Sequence, residues 1–161
     1  MASELLEAFR HSAWANHELL EACRKLTPDQ AGVSLPTGAG TAPAILKHVI
    51  GAESYYLSLV RGRFLGWDWD EARDYSTDEL LAFARELGEA WEGVLAGDFD
   101  RGRMLDTRSS RLKAGVLLTQ ALHHGNVHRE QVSAVLTSLG LTPPDVSGWA
   151  YGRASGGIVL K

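Results

Sequence analysis

Cysteine is almost missing from this sequence: Cys23 is the only one among 161 residues. A disulfide within the chain is therefore excluded, and so is a zinc site built from cysteines. Cys23 falls on the apolar stripe of a helical pattern. That position favours a packed thiol over a nucleophile, because thiol activation needs a nearby positive group.

Basic clusters and long apolar runs are also missing. The net charge is -4 and lysine and arginine do not cluster, whereas nucleic-acid binding depends on a basic patch that neutralises phosphates. No apolar stretch approaches the roughly 20 residues that span a bilayer, and the acidic start MASELLEAFR does not resemble a signal peptide. We therefore expect a soluble, cytoplasmic protein that binds neither nucleic acid nor membranes.

Most of the sequence has the periodicity of amphipathic helices. Of its residues, 45% are hydrophobic, which is enough to form a core. Apolar residues recur at steps of three and four in four segments, and no strand is convincing. The segments run from about Ser3 to Lys25, from Thr41 through Val60, from Ser76 to Gly97 and from Leu112 to Leu139. The pattern predicts an all-α four-helix bundle with long inter-helix loops, forming a single domain over residues 1–161. The tail after Pro144 is predicted to be irregular.

Three tryptophans lie outside these helices, namely Trp67, Trp69 and Trp149. They are able to line a substrate pocket, but aromatic side chains in a bundle are more often core or dimer contacts, which is the favoured interpretation.

Three histidines stand within six positions of the last helix, in ALHHGNVHREQV (residues 121–132). The apolar side of this helix is predicted to contain Ala121, His124, His128 and Val132. Residues four apart lie on one helical face, so His124 and His128 can chelate one divalent ion, whereas His123 points about 100° away. A third ligand must come from another element, and His48, predicted on the inward side of the second helix, is the leading candidate. The alternative is a set of hydrogen-bonded core histidines, and spacing alone leaves both interpretations open. No glutamate follows the first histidine, which disfavours a zinc protease.

These segments have a family resemblance. The stretches HHGNVHREQVSAVLTSLGLTPPD, AILKHVIGAESYYL and FRHSAWANHELLEA occur in the order found in the DinB/YfiT-like superfamily of four-helix-bundle metalloproteins, which this sequence resembles over nearly its whole length. The resemblance implies a divalent metal ion, zinc or nickel, held by His48, His124 and His128 with an open coordination position. It also implies a homodimer and chemistry on a small molecule, in some relatives with a low-molecular-weight thiol as co-substrate.

Four further residues are candidates for the second shell or the substrate pocket. Glu53 is able to orient a ligating imidazole, or to pair with an arginine. Arg129 is able to bind an anionic substrate group, although a structural ion pair with Glu53 or Glu130 is favoured. Gln131 is expected at the pocket rim or in a contact between helices, and His17 is either a second-shell group or a surface residue.

Two classes of function follow. The first is a metal-dependent enzyme that activates a thiol or water, with thiol-dependent S-transfer favoured over hydrolysis. The second is a non-catalytic metal-binding or structural dimeric protein. The sequence identifies no catalytic acid or base, so the catalytic residues stay unknown.

Overall fold

Four long helices make up most of the computed structural model, which describes residues 2–36, 38 and 40–159. They are α1 (Ala2–Cys23), α3 (Ala42–Arg61), α4 (Thr77–Leu95) and α5 (Ala114–Ser138). Helix α1 packs most extensively against α4, and α3 packs most extensively against α5. Helix α3 also contacts α4, and α1 also contacts α5. The four helices therefore form a bundle around one apolar core. The all-α prediction is confirmed.

Local sequence signals fix where these helices begin and end. Ser76 and Glu79 form the capping box of α4, in which the Ser76 Oγ accepts from the Glu79 N–H and the Glu79 carboxylate accepts from the Ser76 N–H. Thr41 caps α3, and Gly62 ends it with a positive φ of 73° that a residue with a Cβ rarely adopts. These caps agree with the boundaries that the sequence predicts.

Four short elements depart from the sequence prediction. Pro28 begins a four-residue helix, α2 (Pro28–Ala31), whose Thr27 cap forms a capping box with Gln30. The strands β1 (Met104–Asp106) and β2 (Arg111–Lys113) pair antiparallel, with Leu105 opposite Leu112. Helix α6 (Gly148–Ala154) begins at a Ser147 cap. These elements are not predicted from the sequence because they are too short for a periodic pattern to be visible. The glycines of α6 also lower its helix propensity.

The buried stripe of α5 also differs from the predicted one. It contains Leu118, Ala121, Gly125, Arg129 and Val132, rather than His124 and His128. Arg129 is 2% exposed, so the buried stripe includes a charged residue that a pattern of apolar residues does not reveal. The two histidines therefore lie at the edge of the buried stripe and not in its centre.

The long connection between α3 and α4, residues 62–76, is packed onto the bundle. Trp69 stacks on Tyr75 at a centroid distance of 4.9 Å, and Trp67 lies 4.8 Å from the Phe83 ring on α4. The Lys47 ammonium donates to the carbonyl oxygens of Glu71 and Arg73 at 2.6 and 3.0 Å. These contacts hold the segment in a fixed position against α3 and α4. Within the described residues, no helix is long and apolar enough to cross a membrane.

Candidate metal centre

Three imidazoles meet at the surface of the bundle between α3 and α5. One ring nitrogen from each of His48, His124 and His128 lies within 4.8 Å of the other two. The Nε2 atoms of His48 and His124 are 3.1 Å apart. Two nitrogens bound to one tetrahedral zinc at about 2.0–2.1 Å lie roughly 3.3 Å apart. The cluster therefore has the ligand type and spacing to hold a divalent metal ion.

Solvent reaches this cluster. His48 is exposed, and His124 and His128 are half-buried. His48 was predicted on the inward side of its helix, and that prediction is wrong, because the core face of α3 contains Leu46, Val49 and Ile50 instead. The cluster supplies three ligands within the described part of the chain, so an ion held there would keep room for a water molecule or substrate atom.

Gln131 fixes the orientation of one imidazole. Its Oε1 lies 2.7 Å from the Nδ1 atom of His128, one helical turn earlier on α5. Because an amide oxygen only accepts, this contact places the ring proton on Nδ1 and leaves the Nε2 lone pair free for a ligand. Gln131 was predicted at the pocket rim or in a contact between helices, and the structure shows it in contact with His128, a candidate ligand.

His124 has a different environment. Its Nδ1 atom is buried and, among the described residues, has no hydrogen-bond partner. The Tyr56 ring packs against it edge-on at 5.9 Å between centroids. Burial, followed by the neighbouring His128 and His48, lowers the pKa of His124 to about 4. A neutral imidazole is the form that binds a metal, so this ring is available as a ligand at neutral pH.

A buried polar network lies directly behind the histidines and joins three helices. The Arg129 guanidinium on α5 donates to the Ser12 hydroxyl at 3.0 Å and to the Asn16 side-chain oxygen at 2.8 Å, both on α1. It also donates to Asn126 at 2.6 Å. The Asn16 amide donates to Glu53 on α3 at 3.4 Å. Each buried charge thus has polar partners, as burial of a charge requires.

Glu53 and Arg129 carry opposite buried charges that act on each other and are bridged by the Asn16 side chain. Burial raises the pKa of the Glu53 carboxyl, while the Arg129 charge and hydrogen bonds from Asn16 and Ser12 oppose that rise. Burial likewise lowers the pKa of Arg129, against the attraction of Glu53. Arginine stays protonated in proteins, so the cation needs this carboxylate as its buried counter-ion.

Gly125 makes room for that pair. A Cβ at this position would lie 2.9 Å from Nη1 of Arg129 and 3.1 Å from Oε1 of Glu53. The glycine between the two candidate ligands therefore has a packing role. The contacts of Ser12, Asn126 and Gly125 with Arg129 are not predicted from the sequence. The seven-residue spacing of Leu118, Gly125 and Val132 was a signal that Gly125 lies on the buried face of α5.

Two second-shell predictions need correction. His17 is exposed and lies 3.6 Å from Glu18, beside a surface cavity formed by α1 and α4. It follows Asn16 by one residue, so its side chain points about 100° away from the buried network. The hydrogen-bond partners of Glu53 are Asn16 and Ser12, not a histidine. Its predicted role in orienting a ligating imidazole is therefore wrong. The alternative pairing with an arginine is replaced by an indirect contact, in which Asn16 lies between Glu53 and Arg129.

The fold and the cluster together define a helical-bundle protein whose three histidines could hold a divalent metal. A family model described as the DinB family matches residues 1–155. The chain belongs to the DinB family, as the resemblance indicated. A crystal structure of a DinB-like protein from Bacillus cereus superposes with a TM-score of 0.73 at 20% sequence identity, covering 89% of this chain and 95% of that one. No curated protein sequence matches the chain.

Proposed function

We propose that this protein is a metal-dependent enzyme whose histidines His48, His124 and His128 hold one zinc or nickel ion. The observation that supports this is the convergence of three ring nitrogens, from two helices, at a point open to solvent. A bound divalent ion supplies Lewis acidity, lowering the pKa of a water or thiol placed on it. Thiol-dependent S-transfer is the favoured reaction, with metal-dependent hydrolysis as the competing one.

The chain's own residues prepare the site for such chemistry. Gln131 holds the His128 proton on Nδ1, and burial keeps the His124 ring neutral. The buried Glu53–Arg129 network ties α1, α3 and α5 together immediately behind the ligands. No acid or base is assigned to the reaction.

We propose that its partners are a small-molecule substrate, a low-molecular-weight thiol as co-substrate, and a second copy of the chain in a homodimer.

 We place the protein in the cytoplasm, where it would bind neither nucleic acid nor a membrane. Its thiol requirement is tested by assaying turnover with and without added thiol.

Metal analysis of protein purified without a histidine tag tests the site. We expect about one ion per chain, lost in His124→Ala and His128→Ala, whereas His123→Ala on the same helix should keep the ion. Full occupancy in the double variant His124→Ala/His128→Ala would disprove the ligand assignment.

A non-catalytic role makes a different prediction. If the ion only stabilises the fold, a chelator should lower the melting temperature strongly, and a panel of thiol–electrophile pairs and esters should show no turnover. An enzyme should instead show turnover that disappears in the His48→Ala variant while the helical content of that variant is unchanged.

A further inference from the structure

A cavity lies against α3, the helix that also carries His48. Its volume is about 290 Å³, close to the lower end of small-molecule sites. The walls include four aromatic side chains and one carboxylate, and the floor is a glycine of α3. These residues are Tyr55, Phe64, Trp67, Trp69, Glu71 and Gly51.

The inner wall of this cavity is held rigidly. The Trp67 indole N–H donates to Glu86 at 2.6 Å, and the Trp69 indole N–H donates to Glu71 at 3.0 Å. Trp69 is further fixed by stacking on Tyr75, with 14° between the ring planes. A wall that is ordered before a ligand arrives lowers the entropic cost of binding.

Gly51 allows this wall to approach α3. A Cβ at Gly51 would lie 3.0 Å from Cζ2 of Trp69 and 3.0 Å from Oε2 of Glu71. Gly51 follows His48 by three residues, a rise of about 4.5 Å along the helix, and Tyr55 lies about 20° from His48 around the axis. The cavity therefore begins within one helical turn of a candidate metal ligand.

The carboxylate of Glu71 gives the cavity a preferred charge. The nearest basic groups are engaged elsewhere, since Lys47 donates to backbone carbonyls and Arg73 pairs with Glu79 at 2.6 Å. In the part of the chain that the structure describes, no cation forms an ion pair with Glu71. Aromatic faces likewise attract cations and repel anions.

We infer that this cavity binds the planar, apolar portion of a small molecule and favours one that carries an amine or another cationic donor. Binding itself needs no metal, but the role of the bound molecule as substrate rests on the proposed function. The cavity would then set substrate specificity by placing the reacting end of the molecule towards His48.

Three probes that differ in charge test the inference on the full-length chain. They are 2-phenylethylamine, 2-phenylethanol and phenylacetate, titrated while the indole N–H signals of ¹⁵N-labelled protein are recorded by NMR. We expect saturable shifts of the Trp67 and Trp69 signals and none at Trp14 or Trp149. The amine should bind about 1.4- to 5-fold more tightly than the alcohol, the range for an exposed ion pair, and phenylacetate more weakly than both.

Two variants separate shape from charge. Glu71→Gln should abolish the preference for the amine while binding of the alcohol persists. Gly51→Ala should weaken all three probes, because the new Cβ displaces Trp69 and Glu71, and Gly93→Ala on α4, where nothing lies within 4 Å, should leave them unchanged. Absence of saturable shifts at Trp67 and Trp69, or an amine preference that survives Glu71→Gln, would overturn the inference.

The same experiment distinguishes the inference from the proposed function. His48→Ala should lose the metal yet retain probe binding. If the wild-type chain binds the probes but no metal, the proposed function fails and the cavity assignment stands. If the Trp67 and Trp69 signals shift on dilution without any probe, a second copy of the chain occupies the cavity and the assignment to a small molecule fails.

Discussion

Replacing Gly125 by alanine is the sharpest perturbation of the buried network. Alanine at an interior helical position normally stabilises a helix by about 1 kcal/mol over glycine. Here the added Cβ would lie 2.9 Å from Nη1 of Arg129 and 3.1 Å from Oε1 of Glu53. A flexible side-chain end would ordinarily move aside, but this guanidinium is buried and donates to Ser12, Asn16 and Asn126.

The magnitude follows from the competing contributions. Overpacking costs about 1–3 kcal/mol, and loss of one hydrogen bond from a charged group costs about 1.5–3 kcal/mol. Subtracting the helix-propensity gain of about 1 kcal/mol gives a net destabilisation of roughly 1.5–5 kcal/mol. For a chain of this length, that lowers the melting temperature by about 3–20 °C.

Denaturant unfolding of metal-free protein measures this difference without interference from ligand binding. Gly93→Ala is the matched control, since Gly93 lies in α4 with no atom within 4 Å of a new Cβ, and we expect it to be neutral or stabilising. A Gly125→Ala variant as stable as the wild type, with an unchanged denaturant dependence, would refute the packing argument.

Three further predictions concern charge, orientation and thiol reactivity. Arg129→Met should destabilise the fold by about 3–5 kcal/mol at neutral pH, because it leaves Glu53 charged and buried. Burial raises the Glu53 pKa, so this loss should shrink as the pH falls and the carboxyl is protonated, which urea unfolding against pH will show. Gln131→Ala should weaken zinc binding about 10- to 100-fold in a chelator competition, while the exposed Gln120→Ala has no effect. Burial raises the pKa of Cys23 to about 12, so a thiol reagent should label it only after unfolding, and labelling of the native chain would contradict its packed position.

The sequence predicted the four long helices well because each has apolar residues at helical spacing over many turns, and two of them have a clear N-terminal signal. Ser76 with Glu79 and Thr41 with Pro43 mark helix starts through local hydrogen bonds and backbone restriction, which need no tertiary partner. The hairpin at 104–113 and helix α6 carried no such pattern. Their three to seven residues are too few for periodicity to be visible.

The candidate site shows the same division. The helical spacing of His124 and His128 follows from 3.6 residues per turn, so sequence alone determined that they share a face. The rotation of α5 about its axis depends on what that helix packs against, which is the apolar core at Leu118, Ala121 and Val132 and the buried polar network at Arg129. That rotation places the histidines at the solvent-facing edge of the stripe.

What the sequence by itself determined is therefore local: the helices, their caps and the spacing of two candidate ligands. Only the tertiary structure decided that Nε2 of His48, on another helix, lies 3.1 Å from Nε2 of His124. It also decided that His17 faces solvent and that Glu53 accepts a hydrogen bond within the buried polar network and, among the described residues, contacts no imidazole. The physical reason is that these contacts join residues far apart in the chain, and their geometry depends on how whole helices rotate and pack.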